Sequence, residues 1–227
     1  MHPSFSIFIV LIFSSMANVS HAQNCLPSKK LDSSYYNNAI DSLRNQFAHN
    51  KKFQKEFELP CLIALSQYPE LQEVRIEFVY DKIRTTMAAR PLASALFFKK
   101  KNRIYRIYIN TDSSRVKGVL LHQLPFDAQV GIIAHELAHI FDYENKSIWS
   151  IIKTGVGYLF DGYRVRLEHQ TDMTVIKRGL GWQLYTFTDF LFNCKDVPVA
   201  HLKYKAKFYY SPADFLNLLK LKKEYGN

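Results

Sequence analysis

His135-Glu136-Leu137-Ala138-His139 sets two imidazoles four residues apart, with a carboxylate directly after the first. On a helix such positions share one face, a turn apart, so both rings can reach a single metal ion. Glu136 then points toward the open side of that ion, where it can take a proton from a bound water. The chemistry this supports is metal-assisted hydrolysis with Glu136 as general base. A catalytic zinc takes three protein ligands and leaves one position for water or substrate, so a third ligand is expected downstream. Glu168 and Asp172 lie four apart in the stretch 163–172, which Met173, Val175 and Ile176 continue as a helix. Glu168 can complete the coordination, and Asp172 can accept the far N–H of a ligand histidine and fix its tautomer. His169 is the rival third ligand, although on a helix it faces away from Glu168.

These groups need elements to hold them. Asp127 is the expected N-cap of the histidine helix, following Pro125-Phe126. Val130, Ile133, Ala134, Leu137, Ala138 and Phe141 recur at helical spacing, and Ile132 and Ile140 add apolar surface on other sides. The helix is therefore expected to be largely buried. Two histidines and a glutamate on it are costly without a partner, and a metal ion is the obvious one.

Upstream, Ser33-Ser34 caps a helix marked by Tyr36, Ile40, Leu43 and Phe47 that is expected to run on toward Phe57. A short helix follows Pro60. Strands are expected over 74–80 and 103–110, with a third over 92–98 paired to the second as a hairpin across 99–102. Downstream, 182–192 reads as a buried helix, and Ser211-Pro212 opens a last one with a capping serine and a proline at its first position. The expected fold class is α+β, with a small β-sheet preceding the active-site helix and a mostly helical C-terminal half.

The HExxH run followed by Glu168-His169-Gln170-Thr171-Asp172 resembles the gluzincin group of zinc metallopeptidases, which includes thermolysin and the membrane prenyl-protease relatives. The resemblance covers these two helices and the strand before them, less than half the chain. It implies a zincin-like fold, His135, His139 and Glu168 as zinc ligands, Glu136 as general base, and Asp172 as the partner of a ligand histidine. It also implies that the strand 103–110, or its hairpin neighbour, holds extended peptide by edge pairing. The segment 147–160 has no clear place on a minimal gluzincin core. Asp142 and Asn145 stand where a metzincin would carry glycine and its third histidine.

The first 22 residues hold no Lys, Arg, Asp or Glu, and Ile7 to Phe13 form an apolar run too short to span a bilayer with ease. Ser20-His21-Ala22 supplies small residues at the usual cleavage positions. Residues 1–22 are read as a signal peptide and 23–227 as a single metallopeptidase domain, exported to the periplasm or secreted. An uncleaved signal anchor is the alternative, and Asn24 before Cys25 argues against a lipid-modified cysteine. In an oxidising compartment Cys25, Cys61 and Cys194 allow one disulfide. Cys61 with Cys194 is the pairing expected, and three unpaired thiols are the alternative.

The formal charge is +10. It favours peripheral contact with anionic surfaces, and no nucleic-acid motif accompanies it. Peptide hydrolysis also needs a donor for the tetrahedral oxyanion. Tyr163, Arg164, His169, His201, Tyr209 and Tyr210 are candidates, with Tyr163 and His169 first for their closeness to Glu168. The expected function is thus an exported zinc-dependent endopeptidase acting on peptide or protein. Its rival is an inactive zincin-fold binding or scaffolding protein that keeps the metal.

Overall fold

Alternation along two strands builds the sheet. Ile76, Phe78, Tyr105, Ile107 and Ile109 are buried, while Glu77, Arg106 and Tyr108 between them keep partial exposure. A computed structural model describes residues 30, 31, 33–92, 100–112, 114 and 118–225. Its strands are β1 (Lys51–Lys52), β2 (Arg75–Asp81), β3 (Met87–Pro91) and β4 (Ile104–Asn110), in the spatial order β1-β2-β4-β3. β1 and β4 both run parallel to β2, and β3 runs antiparallel to β4 with Ala89 opposite Ile107.

The antiparallel partner of β4 is therefore Met87–Pro91 rather than the expected hairpin strand 92–98, whose residues from 93 on lie outside those described. Met87-Ala88-Ala89-Arg90 lacks the β-branched and aromatic residues that signal a strand, so its pairing is set by its neighbours and not by propensity.

The helices are α1 (Ser33–Asn38), α2 (Ile40–Phe47), α3 (Glu58–Ser66), α4 (Phe126–Glu144), α5 (Ile148–Gly157), α6 (Asp161–Lys177), α7 (Gly181–Asn193), α8 (Val199–Phe208) and α9 (Pro212–Tyr225). The first expected helix breaks at Ala39 and ends at Phe47. Asn50, in the left-handed region at φ 57°, then turns the chain into β1. At α9 the cap is as expected: Ser211 Oγ accepts the Asp214 N–H at 3.2 Å, and Asp214 accepts the Ser211 N–H at 3.2 Å.

α4 starts one residue before Asp127, with Pro125 at the cap position. Asp127 is thus not the N-cap. Its buried carboxylate accepts the Leu31 N–H at 3.0 Å and the Gln183 amide at 3.3 Å, tying the N-terminal segment and α7 to the start of α4. Around α4 pack α3, α6, α7 and β3. Tyr68, fully buried, donates to the Ala134 carbonyl at 2.8 Å, and Arg103 donates to the carbonyls of Tyr143 and Lys146 near the other end of α4. At Gly131 the backbone of α7 comes so close that a Cβ would stand 2.3 Å from the Gln183 carbonyl.

No disulfide joins Cys61 to Cys194. Cys61 is fully buried on α3, Cys194 is half-exposed at the end of α7, and Cys25 lies outside the described residues. Among the described residues no helix is long and apolar enough to cross a membrane.

Candidate metal centre

α4 carries His135, Glu136 and His139 on turns packed between the sheet and α6. The 3.6-residue repeat puts the two rings one above the other, with centroids 4.8 Å apart and planes at 85°. α6 crosses α4 and presents Glu168, Thr171 and Asp172, all buried, from successive turns of one face. Asp172 Oδ1 lies 2.8 Å from His135 Nδ1. This leaves His135 Nε2 facing Glu168 Oε2 at 3.3 Å and His139 Nε2 at 3.2 Å, with His139 Nε2 3.5 Å from the same Glu168 oxygen. On the far side of His139, Thr171 Oγ1 stands 3.4 Å from Nδ1.

Three ligand atoms thus converge from His135, His139 and Glu168, and this group could hold a metal ion. Glu168 Oε2 is buried with no hydrogen-bond partner, an orphaned anionic oxygen that a cation would satisfy. The other oxygen, Oε1, accepts a hydrogen bond from Tyr158, just beyond the end of α5. Each ligand is therefore held from behind: His135 by Asp172, His139 by Thr171, and Glu168 by Tyr158.

Electrostatics follow the same arrangement. Burial opposes the charged form of His135, but Asp172 and Glu168 outweigh it and raise its pKa to about 10. Burial opposes the Glu168 charge as well, and the two histidines nevertheless hold its carboxyl well below the usual range. Two buried carboxylates thus face the His135 ring, and a cation bound there would displace its proton. Burial, then the Glu168 charge, pushes the Tyr158 and Tyr209 hydroxyls up, so both stay protonated donors.

Glu136 sits beside His135 with its carboxylate toward β3, accepting the Ala89 N–H at 2.5 Å. Asn110 donates to the Thr86 carbonyl and Leu92 to the Ile104 carbonyl, so the even-numbered residues of β3 face β4. By antiparallel alternation Met87 and Ala89 turn their amides outward, toward α4. β3 ends the sheet among the described residues. The metal-ligand cluster, Glu136 and β3 all open into one cavity of about 480 Å³. Ile132, Leu184, Phe187 and Leu191 form an apolar part of its wall, and Arg164, Lys205 and Tyr209 a polar part.

All five residues singled out by spacing come together here: His135, Glu136, His139, Glu168 and Asp172. His169 is turned away and stacks on Tyr210 with ring centroids 3.9 Å apart. The two oxyanion candidates ranked first lie away from the cavity. Tyr163 donates to Thr154 at 3.2 Å, and neither it nor His169 lines the cavity, whereas Tyr209 and Arg164 do. Proximity in sequence misled because side chains next to Glu168 on a helix point elsewhere. Tyr158 and Ala89 were missed. Thr171 carried a signal in its spacing, three residues after Glu168, while Tyr158 and Ala89 had no local signal at all. The segment 147–160 forms α5 and the turn after it, and Thr154, Gly155 and Tyr158 make one wall of the cavity.

No protein-family model matches the chain, and neither a curated protein nor a solved structure matches it.

Proposed function

We propose that this chain is a zinc-dependent peptidase of the gluzincin kind, with His135, His139 and Glu168 as zinc ligands and Glu136 as general base. The observation that carries the reading is the triangle of ligand atoms, with edges of 3.2, 3.3 and 3.5 Å. Bonds of about 2.0–2.1 Å to a tetrahedral zinc put neighbouring ligand atoms about 3.3–3.4 Å apart. Two imidazoles and one carboxylate are also the donor set of hydrolytic zinc, whereas calcium and magnesium favour oxygen alone.

His135, His139 and Glu168 would hold the zinc, which when bound would supply a Lewis acid and lower the pKa of a water toward neutrality. The protein's own groups do the rest. Glu136 receives the water's proton and returns it to the leaving amine, and its hydrogen bond from Ala89 fixes where the carboxylate stands. With the Ala89 amide held by Glu136 and Pro91 lacking an N–H, Met87 carries the outward amide of β3 that can meet an extended peptide laid along the sheet edge. Tyr209, whose ring centroid lies 6.0 Å from that of His135, supplies the O–H donor for the oxyanion. Glu136 opens into the same cavity as the ligand atoms, a placement that a general base needs and that its hydrogen bond to β3 does not by itself require. Export follows from the reading of residues 1–22 as a signal peptide and belongs to the same proposal.

The test is hydrolysis of an unfolded protein by the zinc-loaded chain and by Glu136→Gln. The reading expects cleavage by the first and a loss of at least about a hundredfold in the second, with zinc binding retained. Equal activity in both would remove Glu136 from the mechanism.

A further inference from the structure

The cavity wall formed by α5 has an outer side. Trp149, Ile152, Val156, Leu159 and Phe160 fall on one face of α5 and its following turn, and Trp149, Leu159 and Phe160 are 75%, 81% and 65% exposed. A contiguous apolar stripe of this kind marks a docking surface and not ordinary surface scatter. Its surroundings are basic. Lys153 on α5 and Lys203 on α8 are exposed, while Lys146 and Lys207 pair with Asp142 and Asp161 and Lys205 lines the cavity. Asp161, next to Phe160, is paired with Lys207, which places the lysine-bearing α8 beside the end of the stripe.

We propose that this face docks on an anionic lipid surface, α5 lying in the headgroup region with its tryptophan, leucine and phenylalanine inserted. Amphipathic helices that bind in this way pair bulky apolar side chains with lysines, and each lysine near an anionic leaflet adds to the attraction. A second copy of the chain fits less well, since two molecules of charge +10 repel. Thr154 and Gly155 on α5 and Tyr158 just after it line the cavity, so docking sets the cavity beside the membrane surface. The consequence is access to polypeptide at the lipid boundary. Docking itself needs neither metal nor hydrolysis, so it stands or falls apart from the peptidase reading.

Trp149 reports directly. The chain has two tryptophans, and Trp182→Phe leaves Trp149 alone. The full-length Trp182→Phe chain is mixed with phosphatidylcholine vesicles, with and without phosphatidylglycerol, and with brominated lipid as a contact quencher. The expected result is a blue shift and quenching of Trp149 on anionic vesicles only, weakened by salt. Leu159→Ser with Phe160→Ser should lower partitioning on the order of tenfold or more, and Lys153→Glu by about tenfold, with unchanged thermal melts. Vesicle binding that leaves Trp149 unquenched would overturn the proposal, because residues 7–13 could then carry the chain to lipid. So would equal binding to neutral vesicles. A Trp149 shift that depends on protein concentration without vesicles would show a second copy on this face, and would also overturn it.

Discussion

Asp172 Oδ1 meets His135 Nδ1 at 2.8 Å, and that contact turns His135 Nε2 toward Glu168 and His139. One hydrogen bond thus sets both the tautomer and the aim of a ligand ring. Asp172→Ala should keep the helical signal in circular dichroism and weaken zinc binding by about 10–100-fold, measured by competition with a chelating dye. An unchanged affinity would mean that packing alone orients the ring.

Tyr158 plays the corresponding part for Glu168, donating to Oε1 and leaving Oε2 without a partner. Tyr158→Phe removes one oxygen atom and little volume. Zinc affinity is expected to fall about tenfold with little change in thermal stability, again read by dye competition.

The close crossing of α4 and α7 one turn before His135 makes Gly131 irreplaceable. A Cβ there would sit 2.3–2.5 Å from backbone atoms of Gln183 and Leu184, which cannot move as a side chain can. Gly131→Ala should cost about 3 kcal/mol or more in urea unfolding. Gly155, on α5, is the matched control, because a Cβ added there would meet nothing within 4 Å. Gly155→Ala should instead stabilise by about 0.5–1 kcal/mol, the ordinary helix preference for alanine.

Arg178 clamps the C-terminal end of α6 to the chain around Tyr68. It meets both Glu70 carboxylate oxygens at 2.7 Å, donates to the Gln67 carbonyl at 2.9 Å, and lies over the rings of Tyr68 and Phe141. Its hydrogen bond lowers the Glu70 pKa below the ordinary 4.5. A depressed carboxyl contributes stability above its unfolded pKa and loses it as the pH falls through the folded value. Glu70 is half-exposed, so Glu70→Gln should cost no more than about 1 kcal/mol near neutrality, fading in acid. Arg178→Ala should cost more, about 2 kcal/mol, and keep part of that cost in acid because ring contacts are lost too. Thermal melts across that range separate the two.

Local rules were enough to place the candidate metal-binding residues because all of them sit on helices. His135 with His139, and Glu168 with Asp172, are i and i+4 pairs, and spacing alone placed each pair on one face. Ser211 and Pro212 announced α9 in the same way. Tertiary relationships were not legible. Met87–Pro91 is a strand because β4 and α4 lie beside it, and its own side chains give no sign. Asp127 looked like a cap until the helix was seen to start a residue earlier, with its carboxylate turned inward to Leu31 and Gln183. Tyr158 and Tyr209 reach the site through the folding back of α5 and α8, and Tyr163 and His169, nearer in sequence, point away.

The central claim is that His135, His139 and Glu168 form one zinc site. X-ray absorption at the zinc edge, on the chain refolded with one equivalent of zinc, tests it most directly. The account predicts one tightly held zinc with two imidazole nitrogens and carboxylate oxygen at about 2.0–2.2 Å, lost in Glu168→Ala and His139→Ala. A refolded chain that leaves zinc in solution, or holds it without imidazole ligands, would contradict it.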